Sequence, residues 1–162
     1  FSRIGRAELR PASVDMDSLV RAAWGDLGTD TAGVAFAPVP LPPAFGDAAL
    51  LRQVWVNLLS NAVKFSSRVE SPTVRVTASP AAGSVTYSVA DNGVGFDPAF
   101  GHKLFHVFQR LHSPREFPGT GVGLALIERI VRRHGGTVSA DGRPGEGATF
   151  SFSLPTRMED DR

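Results

Sequence analysis

The chain has 162 residues, enough for one domain with a real core and too few for two comfortable ones. Its 17 Lys and Arg balance 16 Asp and Glu, and the net charge of +1 gives no global field to hold nucleic acid or an anionic membrane. It has no cysteine, which excludes disulfide frameworks, thiolate zinc clusters and thiol nucleophiles, and no apolar run approaches the roughly 18 residues of a membrane span or forms a signal peptide.

Phe1 to Leu9 places Phe1, Ile4 and Leu9 at roughly helical spacing ahead of Pro11. It reads as the tail of a helix, and because an isolated helix below about 12 residues is marginal in water, its packing partner is expected outside this sequence. The start at Phe1, with no initiator methionine, agrees with a piece of something longer. Ala12 to Met16 reads as extended, and Asp17 as the N-cap of a helix over Ser18 to Asp26 with Leu19, Val20, Ala23 and Leu27 on its apolar face. Thr31 to Phe36 alternates as a strand does. A proline-laden loop, Pro38 to Phe45, then delivers the chain to Asp47.

Asp47 to Phe65, DAALLRQVWVNLLSNAVKF, carries two periodicities at once. Leu51, Val54, Leu58, Ala62 and Phe65 recur at three- and four-residue steps, the pattern of a helix lying on a sheet, with Asp47 as its N-cap. Asn57, Asn61 and Lys64, spaced i, i+4, i+7, fall within roughly 60° of one another along one margin of that stripe. Polar groups beside a buried stripe need partners, and two neutral oxygen donors with one cation suit a hydrated magnesium ion and phosphate oxygens. Capped amides and a snorkelling lysine are the structural alternative.

Thr73 to Ala78 and Ser84 to Ala90 alternate, are rich in Val and Thr, and read as a hairpin across Pro80 and Gly83. The second strand runs into Asp91, Asn92, Gly93, Val94 and Gly95. Phe96 to Pro118 keeps no period beyond a helical turn or two at Lys103 to Leu111, and a loop of this length points to a lid or binding loop. Gly121 to His134 resumes helical spacing through Val122, Leu126, Ile127 and Ile130, with Gly135 just past its end. Thr137 to Ala140 and Ala148 to Leu154 are strands flanking GRPGEG, and Thr156 to Arg162 is a polar, frayed tail.

Two glycine pairs, in DNGVG and GTGVG, belong where backbone passes through positive φ or lies against a ligand, although either alone is more often a tight turn. The second opens directly into a helix, so Gly121 to Leu124 can offer unpaired N–H groups and the positive end of the dipole to an anion such as phosphate. It is neither the dinucleotide fingerprint nor a Walker loop, since no strand leads into it and no Gly-Lys-Ser follows. Asp91 ends a strand of small and β-branched residues and is expected to be partly desolvated. An exocyclic amine such as that of adenine would satisfy it, and so would capping a turn.

NLLSNAVK, DNGVG, FHVFQRL, GTGVGLAL and GEGATFSF stand in the order of the N box, first glycine box, F box and two further glycine boxes of the ATP-binding catalytic domain of two-component sensor histidine kinases. The chain resembles that family over Asp47 to Leu154, about two thirds of its length. SRIGRAEL followed by VDMDSLV is similar to the junction between dimerisation helix and catalytic domain in phytochrome-like kinases. The resemblance implies an α/β fold, a two-layer sandwich of a mixed β-sheet covered on one face by about three helices, with a long ATP lid. It implies residues 1–10 as the end of a dimerisation helix, 11–155 as the catalytic domain and 156–162 as a disordered tail.

It also implies roles. Asn61 resembles the Mg2+ ligand, Asn57 assists metal or phosphates, and Lys64 reaches the phosphate chain of ATP or ADP. Asp91 resembles the adenine reader; Gly93 and Gly95 would let the loop pass the base. Gly119, Thr120, Gly121, Val122, Gly123 and Leu124 would wrap the phosphates, with Thr149 also on the nucleotide. Phe105 and Phe108 resemble the aromatics that fasten the lid, and Arg110 a γ-phosphate contact. The implied chemistry is γ-phosphoryl transfer to a histidine of a dimerisation domain, for relay to the receiver domain of a response regulator. A cytoplasmic location follows, without nucleic-acid or membrane contact, as a monomer when isolated and a homodimer at full length.

The sequence departs from the family in one respect. Its four histidines, His102, His106, His112 and His134, all lie at or beyond position 102, whereas the phosphoacceptor should precede this domain. Feeble turnover at most is expected unless a histidine-bearing domain is supplied. Three of these histidines fall in or beside the lid, but without thiolates or a tight two-histidine spacing they make a poor zinc site. A clamp-type ATPase of the same superfamily would carry a glutamate where Asn57 stands, and an amide cannot act as general base. A docking module that has lost ATP is opposed by the intact Asn61, Asp91 and glycines.

Overall fold

The computed structural model describes residues 8–99 and 122–156. The chain enters through β1 (Ala12–Val14), α1 (Met16–Asp26), a 3-10 turn (Gly28–Thr31), β2 (Ala35–Pro38) and β3 (Ala44–Gly46). Then follow α2 (Ala48–Ser66), β4 (Thr73–Ala81) and β5 (Ser84–Asp91) and, beyond residue 121, α3 (Val122–Arg133), β6 (Thr137–Arg143) and β7 (Gly147–Pro155). Among the described residues five strands make one mixed sheet in the order β2-β4-β5-β7-β6, parallel between β2 and β4 and antiparallel elsewhere, while β1 and β3 form a separate antiparallel ribbon.

One face of the sheet is the core. Val85, Tyr87, Val89 and Asp91 of β5 and Ala148, Phe150, Phe152 and Leu154 of β7 are buried, and the residues between them are not, the period of a strand covered on one side. On the other face Ser88 and Ser151 pair their hydroxyls at 2.7 Å across β5 and β7, and Thr137 and Ser153 do so at 2.7 Å across β6 and β7. The covered face carries α2 over β4, β5 and β7, with α3 over β6 and β7 and α1 against α2. This is the two-layer α/β sandwich that the family resemblance implies.

The core centres on Trp55, which the apolar stripe read from the sequence omits. Its ring meets Phe152 edge-on at 5.1 Å and Tyr87 at 5.9 Å, all three fully buried, and the Tyr87 hydroxyl donates to the carbonyl of Pro42 at 2.8 Å. Burial pushes the Tyr87 phenol up to about 12. The buried arc of α2 also takes in Leu59, Val63 and Ser66, so the helix is sunk deeper than a single stripe requires, and Phe65 is only half-buried.

Three elements differ from the sequence reading. The first helix starts at Met16, not Ser18, because Asp15 and not Asp17 is the N-cap: its carboxylate accepts from the Ser18 N–H at 3.1 Å, while Asp17 faces Arg21 at 3.2 Å. Moving the cap back two residues allows Met16 to be buried beside Val20 and Ala23. Asp15→Ala should therefore lower the thermal midpoint more than Asp17→Ala, and the reverse order in a melt would return the cap to Asp17. The strand expected over Thr31 to Phe36 begins only at Ala35, where pairing with Thr73 starts; before it, the hydroxyl of Thr31 closes the 3-10 turn onto the carbonyl of Gly28 at 2.9 Å. The proline-laden loop holds a short strand, Ala44–Gly46, which finds its partner in Ala12–Val14.

Residues 8–10, read as the end of a helix tail, are not helical, and β6 runs on to Arg143; the two helix ends read from Asp47 and Gly135 agree with the structure. Asp47 caps α2, accepting from the N–H groups of Ala49 and Leu50 at 3.1 and 3.2 Å. The chain leaves α3 through Gly135 at φ 79°, with Gly135 and Gly136 donating to the carbonyls of Arg132 and Val131. Pro80 lies inside β4, opposite Val85 and past the end of the β2 pairing, where its missing N–H interrupts no ladder. Among the described residues no helix is long and apolar enough to cross a membrane.

Candidate functional site

Helix α2 carries Asn57, Asn61 and Lys64, and two other segments come against it. At Asn57 the start of α3 comes alongside: a Cβ on Gly123 would lie 3.7 Å from the Asn57 Oδ1. At Phe65 the loop after β5 comes alongside, for its backbone carbonyl accepts the N–H of Val94 at 3.1 Å. Asn61 and Lys64, like Asn57 half-buried, sit on α2 between these two points, and the eight residues from Asn57 to Phe65 rise about 12 Å. The amide-and-lysine ridge thus runs from the start of α3 to the loop that follows Asp91.

Asp91 closes β5 and is 8 % exposed. Its Oδ1 accepts the N–H of Gly93 at 2.8 Å, the turn-capping role, but its Oδ2 is buried with no hydrogen-bond partner. Burial pushes the carboxyl up to about 6, against the N–H groups of Gly93 and Ala148, which offset part of the penalty. A buried carboxylate oxygen without a donor is costly, and a ligand N–H reaching Oδ2 would relieve that cost.

The glycines of DNGVG have a reason in the protein's own backbone. A Cβ at Gly93 would stand 2.1 Å from the carbonyl oxygen of Phe65; one at Gly95, where φ is +68°, would stand 1.9 Å from that of Arg143. Both residues let the loop press against the end of α2 and the β6–β7 turn, and so fix where Asp91 sits. Asn92 completes the arrangement, accepting the N–H of Thr73 at 2.9 Å and donating to the carbonyl of Ser71 at 2.8 Å.

Not every expected residue joins this group. Thr149 pairs with Ala90, whereas Ala148 pairs with Asp91, and alternation puts Thr149 on the opposite face of the sheet, away from Asp91 and the helices. Ala148 is the β7 residue beside Asp91, and it was recoverable from the sequence, since it shares the parity of Phe150, Phe152 and Leu154. Val122 and Gly123 open α3, and Leu124 is buried in the core. Phe105, Phe108, Arg110, Gly119, Thr120, Gly121 and the histidines at 102, 106 and 112 lie outside the described residues. Among the described residues no cluster of His, Asp or Glu could hold a metal ion.

Fold and site define a two-layer α/β sandwich with half-buried polar groups along one helix and a buried carboxylate at one strand end. Residues 46–158 match the family described as histidine kinase-, DNA gyrase B-, and HSP90-like ATPase. The chain is 34 % identical over 157 residues to cyanobacterial phytochrome A of Nostoc sp., covering 96 % of this chain and 20 % of the phytochrome. The solved structure of full-length ShkA in complex with AMPPNP superposes with a TM-score of 0.80 at 34 % identity, over 97 % of this chain and 34 % of that one. The mycobacterial sensor histidine kinase MprB gives a TM-score of 0.77 at 25 % identity, over 93 % and 99 % of the two chains.

The chain belongs to the histidine kinase-, DNA gyrase B- and HSP90-like ATPase family, and its fold is that of histidine kinase catalytic domains. It spans a fifth of the length of the Nostoc phytochrome.

Proposed function

We propose that this chain is the ATP-binding catalytic domain of a sensor histidine kinase, passing the γ-phosphoryl group of ATP to a histidine on a dimerisation domain for relay to a response-regulator receiver domain. The observation that carries the reading is Asp91, a buried carboxylate with one oxygen left without a donor, just ahead of the loop that meets the end of α2. The exocyclic amine of adenine is the donor it lacks. Lys64 would reach the phosphate chain, the N–H groups opening α3 its oxygens, and Arg110 the γ-phosphate.

The half-buried amide oxygens of Asn57 and Asn61 are hard, neutral donors suited to a partly hydrated Mg2+, with Asn61 as the ligand and Asn57 beside it. When bound, the ion supplies charge neutralisation on the phosphate oxygens. The protein's own share is placement: Asp91 holds the base, and the α2 ridge and the start of α3 hold the phosphates, so that the terminal phosphorus meets an incoming imidazole nitrogen in line. That nitrogen belongs to the dimerisation domain, with residues 1–10 as the remnant that leads from it, 11–155 as the catalytic domain and 156–162 as a tail. We place the domain in the cytoplasm, monomeric alone and homodimeric at full length.

Calorimetric titration of the chain beside Asp91→Ala and Asn61→Ala tests the site. Asp91→Ala should weaken ATP and ADP alike, while Asn61→Ala should remove mainly the Mg2+-dependent part of ATP affinity. Equal affinities in all three proteins would end the assignment, and no saturable binding by the unsubstituted chain would favour a docking module without nucleotide.

A further inference from the structure

His134 lies among the described residues, and its surroundings leave it one protonation state. The ring is 1 % exposed. The backbone N–H of Asp47 donates to Nε2 at 3.0 Å, so Nε2 carries the lone pair and the proton sits on Nδ1, 2.8 Å from the carbonyl oxygen of Ile130. Burial holds the ring below the ordinary imidazole range.

Its position makes this bond consequential. His134 follows the last turn of α3, and Asp47 is the N-cap of α2. At the other end of α3, Gly123 lies against Asn57. The two helices therefore run antiparallel and are joined at two points, the ten residues from Asp47 to Asn57 rising about 15 Å between them. The entry segment supplies a third side. Gly46, paired with Ala12 of β1, leaves room for the ring, since a Cβ there would meet the imidazole at 2.7 and 2.9 Å; the Oδ2 of Asp47 accepts the N–H of Arg10 at 3.0 Å.

We propose that His134 is a positioning residue for nucleotide binding: its Nε2 clasps the far end of α3 to the start of α2 and to the entry segment, and so holds the glycine-led end of α3 against Asn57. The inference rests on the reading of the site given above, in which that end of α3 meets the phosphates. Removing the clasp frees α3 to shift as a rigid rod, which disturbs phosphate contacts and leaves Asp91, on the sheet, where it was.

The test is nucleotide affinity in folded variants of the 162-residue chain, measured well below the unfolding temperature, with ATP by titration and adenosine by competition. His134→Phe keeps bulk and removes the acceptor; it should weaken ATP about tenfold and adenosine by less than about twofold. His134→Gln, whose amide oxygen can reach the Asp47 N–H, should recover most of the ATP affinity. Gly46→Ala, which intrudes on the space of the ring, should reproduce the Phe variant and carries the test if that variant does not fold. A purely structural role would lower the melting temperature and leave both affinities unchanged, and that result overturns the proposal, as does an equal loss on ATP and adenosine or a Gln variant as weak as Phe. If the unsubstituted chain binds no ATP, the reading of the site fails instead.

Discussion

Asp91→Asn is expected to bind ATP and ADP about ten- to two-hundredfold more weakly than the unsubstituted domain and, without nucleotide at neutral pH, to be the more stable protein by about 1 to 3 kcal/mol. Both effects have one cause. Burial raises the Asp91 carboxyl from 3.8 to about 6, so ionising it costs more in the folded chain than in the unfolded one. A raised carboxyl binds its proton more tightly when folded. Its contribution to stability is therefore most favourable below pH 3.8 and declines as pH rises to about 6, by on the order of 3 kcal/mol in total. The amide escapes that penalty but cannot accept the adenine amine.

The ionised form is the acceptor, so nucleotide affinity of the unsubstituted domain should fall as pH drops through about 6, approaching tenfold per unit, while Asp91→Asn shows no such dependence. Calorimetry from pH 5 to 8 beside thermal melts reads both quantities. A variant that loses affinity and stability together would mean that Oδ2 is satisfied within the protein.

Gly95→Ala is expected to cause the largest loss of stability, about 3 kcal/mol or more, lowering the thermal midpoint by about 10 °C. The position combines φ of +68° with a Cβ that would lie 1.9 Å from the Arg143 carbonyl oxygen and 2.8 Å from that of Gly147. These are backbone atoms held in β6 and β7, so no side chain can swing away. Gly25→Ala, in α1 with nothing within 4 Å of the new Cβ, is the control and should be neutral or slightly stabilising. If Gly95→Ala melts within a few degrees of that control, the loop does not pack tightly on the β6–β7 turn. Retained nucleotide affinity in a folded Gly95→Ala would further separate this backbone role from contact with the base.

Much of this was legible because it is encoded locally. A helix declares its buried side through three- and four-residue steps and a strand through alternation, so α2, the β4–β5 hairpin and α3 could be placed from side-chain order. The same arithmetic put Asn57, Asn61 and Lys64 on one ridge, and the small and β-branched run ahead of Asp91 put that aspartate at a strand end. Asp47 and Gly135 declared helix ends through their own chemistry.

The misreadings share a different origin. Asp15 and Asp17 are equally good caps by type, and burial of Met16 in the core selects the first. Ala44–Gly46 is too short to show a period and becomes a strand only because β1 arrives from more than thirty residues away. Thr149 was assigned by its motif, but the pairing of Ala148 with Asp91 turns it to the far face, since one step along a strand reverses the direction of a side chain.

Side-chain order alone was enough for α2, the β4–β5 hairpin, α3, the polar ridge and the aspartate, because periodicity and capping are properties of neighbours in the chain. Packing between distant segments settled which backbone meets which: that Gly93 and Gly95 serve close passage past Phe65 and Arg143, that one Asp91 oxygen is left without a donor, and that His134 joins α3 to α2. The physical reason is that backbone approach and desolvation depend on residues distant in sequence, and no local pattern of side chains specifies them.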